Sequence, residues 1–331
     1  MISTLSVEGL SKSFSTNKVI DSISFDVPEG CIFGFIGANG AGKTTTMKMI
    51  LGLIPSDEGA VFVCGEKVSF GATRTNRHIG YLPDVPVFYG YMRPKEYLQL
   101  CGEIVGLSAE ENRRRGAELL EMVGLADANK KISGFSRGMK QRLGMAQALL
   151  NRPKLLICDE PTSALDPMGR KEILDILKQI KGQTTVVFST HILSDVERIC
   201  DRVAVLSKGH IVLAGTLAEL RAKHRSDSLA VEFSSVKDRE RFVTAAKGLL
   251  LAAATFTQDM PAQETSTKEI SAQETSAKLA SSSDTELILQ VKDVAAAQRE
   301  TMRVLSENDI LPLRLEVLEP TIESLYLEVA Q

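Results

Sequence analysis

The feature that most constrains this chain is a glycine-rich loop placed between a predicted strand and a predicted helix. It reads Gly-Ala-Asn-Gly-Ala-Gly-Lys-Thr over residues 37–44 and matches the spacing G-x-x-x-x-G-K-[ST]. The apolar run from Cys31 to Ile36 has the length of a buried strand, and a helical pattern follows from Thr44 to Leu53. The sequence therefore predicts a strand–loop–helix unit of an α/β fold.

The composition of this loop suits phosphate binding. Its glycines allow backbone N–H groups to turn toward phosphate oxygens, and the start of the next helix adds partial positive charge. Lys43 is expected to reach the β- and γ-phosphates of a nucleotide, and the Thr44 hydroxyl to bind Mg²⁺. An ordinary glycine turn is the alternative, which the flanking strand and helix disfavour. The predicted nucleotide contacts here are Gly37, Asn39, Gly40, Ala41, Gly42, Lys43, Thr44 and Thr45.

Two carboxylates end a second predicted strand. The segment from Leu155 to Cys158 is apolar, and Asp159 and Glu160 follow it directly. Because sites in parallel sheets form at the carboxyl ends of strands, both side chains are expected near the nucleotide. We assign Asp159 to holding Mg²⁺ through water and Glu160 to polarising the attacking water. A pair of solvated acids is the alternative, and the phosphate loop disfavours it.

His191 follows a third predicted strand, Thr184 to Phe188, again at a carboxyl end. An imidazole in that place can contact the γ-phosphate. A lone histidine is more often structural or exposed, so the position alone does not establish this role.

The rest of the N-terminal region alternates between strands and helices. Apolar residues recur at helical spacing between Pro94 and Asn151, which predicts three inserted helices. Asp166 is placed to cap a further helix, with proline at the first helical position. Residues from Val203 to Ala214 predict a β-hairpin that turns at Lys208-Gly209. We therefore predict a mostly parallel sheet, an antiparallel β subdomain and a helical subdomain at about residues 84–151.

The composition changes near residue 225, which predicts a second, smaller α+β domain. The sequence therefore predicts two domains, residues 1–224 and residues 225–331. A stretch at about residues 258–284 is rich in Ser, Thr, Ala, Gln and Glu and predicts a flexible insertion. The remaining pattern is β-α-β-α-β, of ferredoxin-like type. Its predicted elements lie at Val231 and Phe233, Asp238 to Leu250, Leu287 to Val291, Val294 to Asn308, and Leu313 to Val317.

Composition argues against several other functions. The net charge of −3 provides no strong electrostatic attraction to nucleic acid. No run approaches the roughly 20 apolar residues that a membrane-spanning helix needs, and no secretory signal is visible at the N-terminus. The five cysteines are odd in number and lack C-x-x-C spacing, so neither a disulfide framework nor a zinc site is expected.

These motifs, in this order, resemble the nucleotide-binding subunit of ATP-binding cassette (ABC) transporters, over about Leu5 to Leu220. The distinguishing segment is Phe135 to Arg142, which occupies the place of a signature that usually reads L-S-G-G-Q. The resemblance implies that Ser136 and Gly138 of one subunit close over the γ-phosphate held by a second subunit. ATP would then hold a head-to-tail dimer together, and hydrolysis would release it.

The resemblance also assigns roles to residues that the motifs alone do not mark. Phe14 matches the aromatic residue that stacks on adenine. Asp166 ends the segment Ser163-Ala164-Leu165-Asp166, which matches the loop that communicates across the dimer. His191 matches the family's switch histidine and, with Lys43 and Glu160, completes the predicted catalytic set.

Two positions depart from the family's pattern. Asp84 stands where glutamine is usual, and an ionised carboxylate only accepts hydrogen bonds. It remains a possible Mg²⁺ ligand beside Thr44 and Asp159. Arg137 places a cation in the degenerate signature. Both variations, and the tail from Leu318 to Glu328, resemble the bacterial and archaeal exporter ATPases that serve antibiotics, peptides and other small solutes.

The leading hypothesis is therefore an exporter ATPase on the cytoplasmic face of the membrane, peripheral to a separate permease. A homodimer or a heterodimer with a similar chain is implied, and no nucleic acid is expected as a partner. Tyr89, Tyr91 and Met92 either contact the permease or pack internally. One alternative is a soluble ABC-type ATPase that acts on nucleic acid or the ribosome, and another is a nucleotide-binding regulator with weak hydrolysis.

Overall fold

The computed structural model describes residues 3–72, 74–223, 227–246, 277–282, 284–291 and 293–318. Contacts within the chain divide these residues into two compact units, one within 3–220 and the other within 221–318. This division lies close to the predicted boundary between residues 224 and 225. No helix among the described residues is long and apolar enough to cross a membrane.

Strands and helices alternate through the first unit. The strands are β1 (Ser3–Phe14), β2 (Asn17–Pro28), β3 (Ile32–Ile36), β4 (Glu58–Val63), β5 (Glu66–Lys67), β6 (Ile79–Leu82), β7 (Leu155–Asp159), β8 (Thr185–Thr190), β9 (Arg202–Ser207) and β10 (His210–Thr216). The helices are α1 (Lys43–Ile50), α2 (Pro94–Ile104), α3 (Ala109–Met122), α4 (Arg137–Leu149), α5 (Pro167–Gln179), α6 (Leu193–Ile199) and α7 (Leu217–Lys223), the last of which crosses the boundary between the units.

The main sheet of this unit has six strands in the order β10-β9-β3-β8-β7-β6. All neighbours are parallel except β9 and β10, which form the predicted hairpin. Every residue of β3, β7 and β8 is buried, as expected of parallel strands covered on both faces. The predicted, mostly parallel sheet is therefore confirmed, and the carboxyl ends of β3, β7 and β8 meet at one edge.

A second, antiparallel sheet has the order β2-β1-β4-β5 and confirms the predicted β subdomain. Ile23, Phe25 and Val27 of β2 are buried and alternate with exposed neighbours. The ring of Phe25 stacks on Phe33 of β3, with the ring centroids 5.5 Å apart. The two sheets thus share one hydrophobic core, which also takes in Met47 of α1.

The three predicted helices between the strands are α2, α3 and α4. Helix α4 lies directly against β6, because Gly80 has no side chain to hold the Ala148 backbone away. The Tyr97 hydroxyl donates to Gln147 Oε1 at 2.9 Å and joins α2 to α4. Helix α4 and, through it, α2 are therefore anchored at this side of the main sheet.

Local capping follows the sequence prediction. Asp166 precedes α5, and its side chain accepts a hydrogen bond from the backbone N–H of Gly169 at 3.2 Å. Pro167 occupies the first helical position, where its missing N–H costs nothing. Lys208 and Gly209 both have positive φ and form the tight turn between β9 and β10.

The second unit contains β11 (Asp227–Phe233), α8 (Val236–Ala245), β12 (Ala277–Ser282), β13 (Glu286–Val291), α9 (Val294–Glu307) and β14 (Pro312–Leu318). Its sheet is antiparallel, in the order β12-β13-β11-β14. The core includes Phe233 of β11 and Phe242 of α8, whose ring centroids are 5.3 Å apart. The predicted β-α-β-α-β order is present, with β12 as an additional strand.

Strand β12 falls within the range predicted as a flexible insertion, 258–284, so the prediction is wrong for Ala277–Ser282. The composition of that strand, Ala-Lys-Leu-Ala-Ser-Ser, offers little hydrophobic alternation to detect. It gains its partners from β13, where Leu279 pairs with Leu289. Residues 258–276 of the predicted insertion lie outside the described residues.

The close contact between β6 and α4 gives a stability prediction. A methyl group at Gly80 would overlap the carbonyl oxygen of Ala148. Gly80→Ala should therefore lower the free energy of unfolding by about 2 kcal/mol, measured by urea denaturation. The control is Gly116→Ala in α3, where a methyl group meets only Leu98 at 3.9 Å. That change should be neutral or stabilise by up to about 1 kcal/mol, and an equal loss in both variants would contradict the packing argument.

Candidate nucleotide-binding site

A cavity of about 400 Å³ lies where the glycine-rich loop meets the ends of the parallel strands. It brings together most of the residues that the sequence predicts for nucleotide binding and catalysis. It also adds Val19 and Ser163, which were not assigned to the site. Its lining residues are Val19, Asn39, Gly40, Gly42, Lys43, Thr44, Thr45, Asp84, Glu160, Ser163 and His191.

The glycines of the loop are required by close approach and by backbone conformation. A side chain at Gly37 would lie 2.6 Å from the carbonyl oxygen of Leu206, so β9 presses on the loop there. Gly42 has a φ of 109°, and a side chain would overlap Ile20 of β2. Gly40 has a φ of 82° and faces open space among the described residues. The loop is thus held on one side and open toward the cavity on the other.

Lys43, the first residue of α1, is buried, with 5% of its surface exposed. Its Nζ donates to the carbonyl oxygens of Gly37 at 2.7 Å and Ala38 at 3.2 Å. It also forms an ion pair with Glu160 Oε1 at 3.1 Å. The ammonium group therefore stands between the loop and the end of β7, with its positive charge at the cavity wall.

Glu160 sits in an unusual backbone conformation, with a φ of 48°. This left-handed region is uncommon for a residue other than glycine and is often found at functional sites. The conformation is held by the backbone N–H of Glu160, which donates to the Ser189 side chain at 3.0 Å and to the Ser189 carbonyl at 3.2 Å. The turn directs the carboxylate toward Lys43 instead of along the strand.

The second carboxylate oxygen of Glu160 contacts His191. The distance from His191 Nδ1 to Glu160 Oε2 is 2.9 Å. An ionised carboxylate only accepts hydrogen bonds, so a hydrogen bond between these atoms with Glu160 ionised uses the proton on Nδ1. Glu160 Oε1 has no hydrogen-bond partner among the described residues, although it forms an ion pair with Lys43 Nζ at 3.1 Å. This buried oxygen can accept a hydrogen bond from a bound water or ligand.

Ser189 is a site residue that the sequence prediction missed. It is fully buried on β8, donates from Oγ to Asp159 Oδ1 at 2.6 Å, and accepts from the Glu160 N–H. It therefore fixes both carboxylate-bearing residues to the neighbouring strand. A serine inside the apolar strand, two residues before His191, is the one sequence signal that could have found it.

A buried carboxylate secures the segments that follow the two strands. Asp195 of α6 is 1% exposed and accepts from Thr162 Oγ1 at 2.7 Å and from Arg170 Nε at 2.6 Å. Thr162 lies two residues after Glu160, and Asp195 four residues after His191. The network thus ties together the chain segments that leave the site.

Asp84 reaches the same cavity from the loop after β6. Its Oδ1 accepts a hydrogen bond from Arg137 Nη2 at 3.3 Å. Burial raises the pKa of the Asp84 carboxyl above its ordinary value. Arg137 opposes this rise in pKa, whereas the negative charges of Asp159 and Glu160 add to it. The two positions that depart from the family's pattern are therefore in direct contact.

The remaining predicted residues lie outside the cavity lining. Phe14 is 49% exposed at the end of β1, with Lys12 Nζ 5.4 Å from its ring centroid. Ser136 caps α4 by accepting from the Met139 N–H at 3.2 Å. Gly138 faces open space among the described residues, and Asp166 caps α5 on the surface. These residues are not brought to the cavity within one chain.

The donor set at the cavity suits Mg²⁺ bound together with phosphate. Thr44 and Asp84 line the cavity, and Asp159 lies buried behind Glu160 with Oδ1 bound to Ser189. A hydroxyl and carboxylate oxygens are the ligands that this hard cation prefers, usually completed by substrate phosphates and water. No cluster of three or more His, Cys, Asp or Glu side chains that would hold a metal unaided occurs in the described part of the chain.

The contacts of Ser189 give a catalytic prediction. Ser189→Ala removes the side-chain hydrogen bonds to Asp159 and to the Glu160 N–H and leaves only the bond to the Ser189 carbonyl, so the turnover of ATP should fall by about tenfold or more. The loss of unfolding free energy should be about 1–3 kcal/mol. Turnover is measured by phosphate release under saturating ATP, and stability by urea denaturation.

The matched control is Thr185→Ala at the opposite end of β8. The Thr185 hydroxyl is also buried, contacts Thr4 Oγ1 at 3.0 Å and accepts from the Gly30 N–H at 2.9 Å. Its loss should lower stability to a similar extent and leave turnover near the native value. Equal loss of turnover in both variants would show that Ser189 acts through general stability alone.

Comparison with known proteins gives consistent relatives. The sequence model of the family described as ABC transporter matches residues 20–163. The linearmycin resistance ATP-binding protein LnrL of Bacillus subtilis (strain 168) is 32% identical and covers 98% of this chain and 97% of its own length. The ABC transporter ATP-binding protein YxlF of the same organism is 44% identical, covering 71% of this chain and 77% of its own. The bacitracin transport ATP-binding protein BcrA of Bacillus licheniformis is 38% identical over 68% of this chain and 74% of its own.

Solved structures give the same result. An ATP-binding subunit of an ABC transporter is 34% identical, with a TM-score of 0.61, over 66% of this chain and 92% of that chain. The protein cbiO1 from Clostridium perfringens, part of the transporter complex cbiONQ, is 26% identical with a TM-score of 0.61 and covers 67% and 92% of the two chains. This chain therefore belongs to the ATP-binding subunits of ABC transporters and is an ATPase of the P-loop type.

Proposed function

We propose that this chain hydrolyses ATP in the cavity at the glycine-rich loop and that hydrolysis drives export through a separate membrane permease. The proposal of ATP hydrolysis rests on the contact of Glu160 with both Lys43 and His191. A cation for phosphate, a carboxylate for water and an imidazole thus meet at one point of the cavity wall. A cation beside the phosphates and a group that positions the attacking water are parts that recur in enzymes of phosphoryl transfer.

Each predicted residue takes a role in this proposal. The backbone of residues 37–42 and Lys43 hold the phosphates, and Thr45 lies at the same helix start. Glu160 accepts a proton from the attacking water, and His191 contacts the γ-phosphate. Thr44, Asp84 and, through water, Asp159 would hold Mg²⁺, which would supply positive charge to the phosphates.

A second ATP-binding subunit completes the site in this proposal. Ser136, Gly138 and Asp166 are at the surface at least in part and lie outside the cavity of their own chain. The N-terminus of α4 carries partial positive charge, which suits an anion on another molecule. We assign Ser136 and Gly138 to the γ-phosphate held by the partner, Asp166 to the loop between the two sites, and Phe14 to adenine.

The permease is proposed to dock on the segment after Asp84. Val85, Val87, Tyr89 and Tyr91 are all more than half exposed, so this short segment presents several large apolar side chains together. The rings of the two tyrosines lie 6.0 Å apart. Exposed apolar clusters of this kind commonly form protein interfaces. A peripheral position on the cytoplasmic face of the membrane follows from such docking.

The class of transported solute is inferred from the relatives. LnrL is named for linearmycin resistance and BcrA for bacitracin transport. The LnrL match spans almost the entire length of both chains, so it includes the second unit as well as the ATPase domain. We therefore propose export of an antibiotic, a peptide or another small solute.

Substitution of Glu160 tests the catalytic assignment. Glu160→Gln keeps the size of the side chain but removes the group that accepts a proton, so turnover should fall by about a hundredfold or more. ATP binding should persist, and the variant should accumulate as a dimer in ATP, measured by light scattering with and without nucleotide. Glu118→Gln on the exposed surface of α3 is the control. Native turnover in Glu160→Gln would remove Glu160 from this role.

Recovery of the partner tests the biological role. The tagged chain is purified from native membranes in mild detergent, and its companions are identified by mass spectrometry. A multi-span membrane protein in stoichiometric amount is expected. Its recovery should fall about tenfold in Tyr89→Ser/Tyr91→Ser but not in Phe70→Ser, an exposed apolar residue elsewhere. Recovery from the soluble fraction with ribosomal or DNA-binding proteins would contradict the transporter role and leave the ATPase chemistry standing.

A further inference from the structure

Asp84 and Arg137 come from distant parts of the sequence and meet beside the cavity. Asp84 lies two residues after β6, and Arg137 is the first residue of α4. The hydrogen bond from Arg137 Nη2 to Asp84 Oδ1 is 3.3 Å long, and the two side chains are 46% and 45% exposed. Asp84 lines the cavity, whereas Arg137 stands outside its lining. The arginine therefore contacts a lining residue without itself lining the cavity.

The charge of the cavity makes a carboxylate at this position unfavourable for nucleotide binding. The lining residues include one lysine, Lys43, and two carboxylic acids, Asp84 and Glu160. The Lys43 ammonium group already forms an ion pair with Glu160 Oε1 at 3.1 Å. Without a nearby cation, the negative charge of Asp84 would repel the negative charges of a bound polyphosphate.

We propose that Arg137 is a positioning residue that holds Asp84 and offsets its charge, so that a carboxylate can stand in the nucleotide cavity of this chain. The pair acts as one unit in setting the affinity for a nucleoside triphosphate. This inference rests on the proposed function, because it takes the cavity to be the ATP site. It also accounts for the two departures from the family's pattern together, since each residue supplies the partner of the other.

Stability alone does not account for this pair. Half-exposed ion pairs typically contribute between zero and about 1 kcal/mol to folding. Asp175 and Arg198 form a pair of the same kind between α5 and α6, at 3.2 Å and with 50% and 39% exposure. Neither of those residues lines the cavity. The two pairs therefore have similar length and exposure, and only the pair of Asp84 and Arg137 includes a residue that lines the cavity.

Removing the two charges one at a time should have unequal effects on ATP affinity. Arg137→Gln leaves the Asp84 charge without its cation, so the dissociation constant for ATP should rise by about three- to tenfold. Asp84→Asn removes the repelling charge, so in EDTA, where no metal is bound, the dissociation constant should stay the same or fall. The double variant lacks both charges and, in EDTA, should return to within about twofold of the native value.

The experiment is an equilibrium titration of the full-length chain with a fluorescent ATP analogue at constant ionic strength. Each variant is measured in Mg²⁺ and again in EDTA, since free ATP carries more negative charge than its Mg²⁺ complex. The effect of Arg137→Gln should be larger in EDTA and should shrink as salt is added. Arg137→Lys keeps the charge and should restore most of the affinity.

Two controls separate this inference from a general structural effect. Asp175→Asn, Arg198→Gln and their double variant should leave the dissociation constant for ATP within about twofold of native. Melting temperatures of all variants are measured alongside, to show that each one is folded. A native dissociation constant in Arg137→Gln, or equal losses in Arg137→Gln and the double variant, would overturn the proposal. A native chain that does not bind the ATP analogue would instead overturn the proposed function.

Discussion

The two contacts of Glu160 determine how the rest of the site is arranged. One carboxylate oxygen faces Lys43 of the loop after β3, and the other contacts His191 after β8. Ser189 binds the backbone of Glu160 and holds its positive φ, which turns the side chain toward the loop. Three parallel strands are thus joined at their carboxyl ends by one residue, which explains why a strained conformation is retained there.

Two ion pairs, one buried and one half exposed, lie around Glu160. Lys43 and Glu160 are largely buried and paired, so their geometry depends little on solvent. Asp84 and Arg137 are half exposed and lie where the loop after β6 meets the start of α4. Helix α4, which begins at Arg137, packs on β6, which leads to Asp84, with Ala148 against Gly80 and Gly144 close to Leu82. The outer pair is therefore positioned by the same packing that supports the helical layer.

The second unit has its own core and antiparallel sheet, which distinguishes it from the ATPase domain in fold as well as in sequence. The structural neighbours cover about two-thirds of the chain, whereas LnrL covers nearly all of it. A relative that matches over its full length is thus more informative about transport than a relative that matches the ATPase domain alone. The exposed apolar segment after Asp84 is the surface that we propose for the membrane partner, and it lies on the ATPase domain itself.

The sequence by itself determined the phosphate loop, the order of strands and helices, and the positions of Lys43 and Glu160, because local spacing and apolar runs encode them. It did not indicate Ser189, whose partners Asp159 and Glu160 lie about thirty residues away along the chain. It marked Asp84 and Arg137 as separate departures, 53 residues apart. Only the tertiary structure decided that these two meet. Side-chain contacts between distant segments depend on how strands and helices pack, and local sequence patterns do not record that packing.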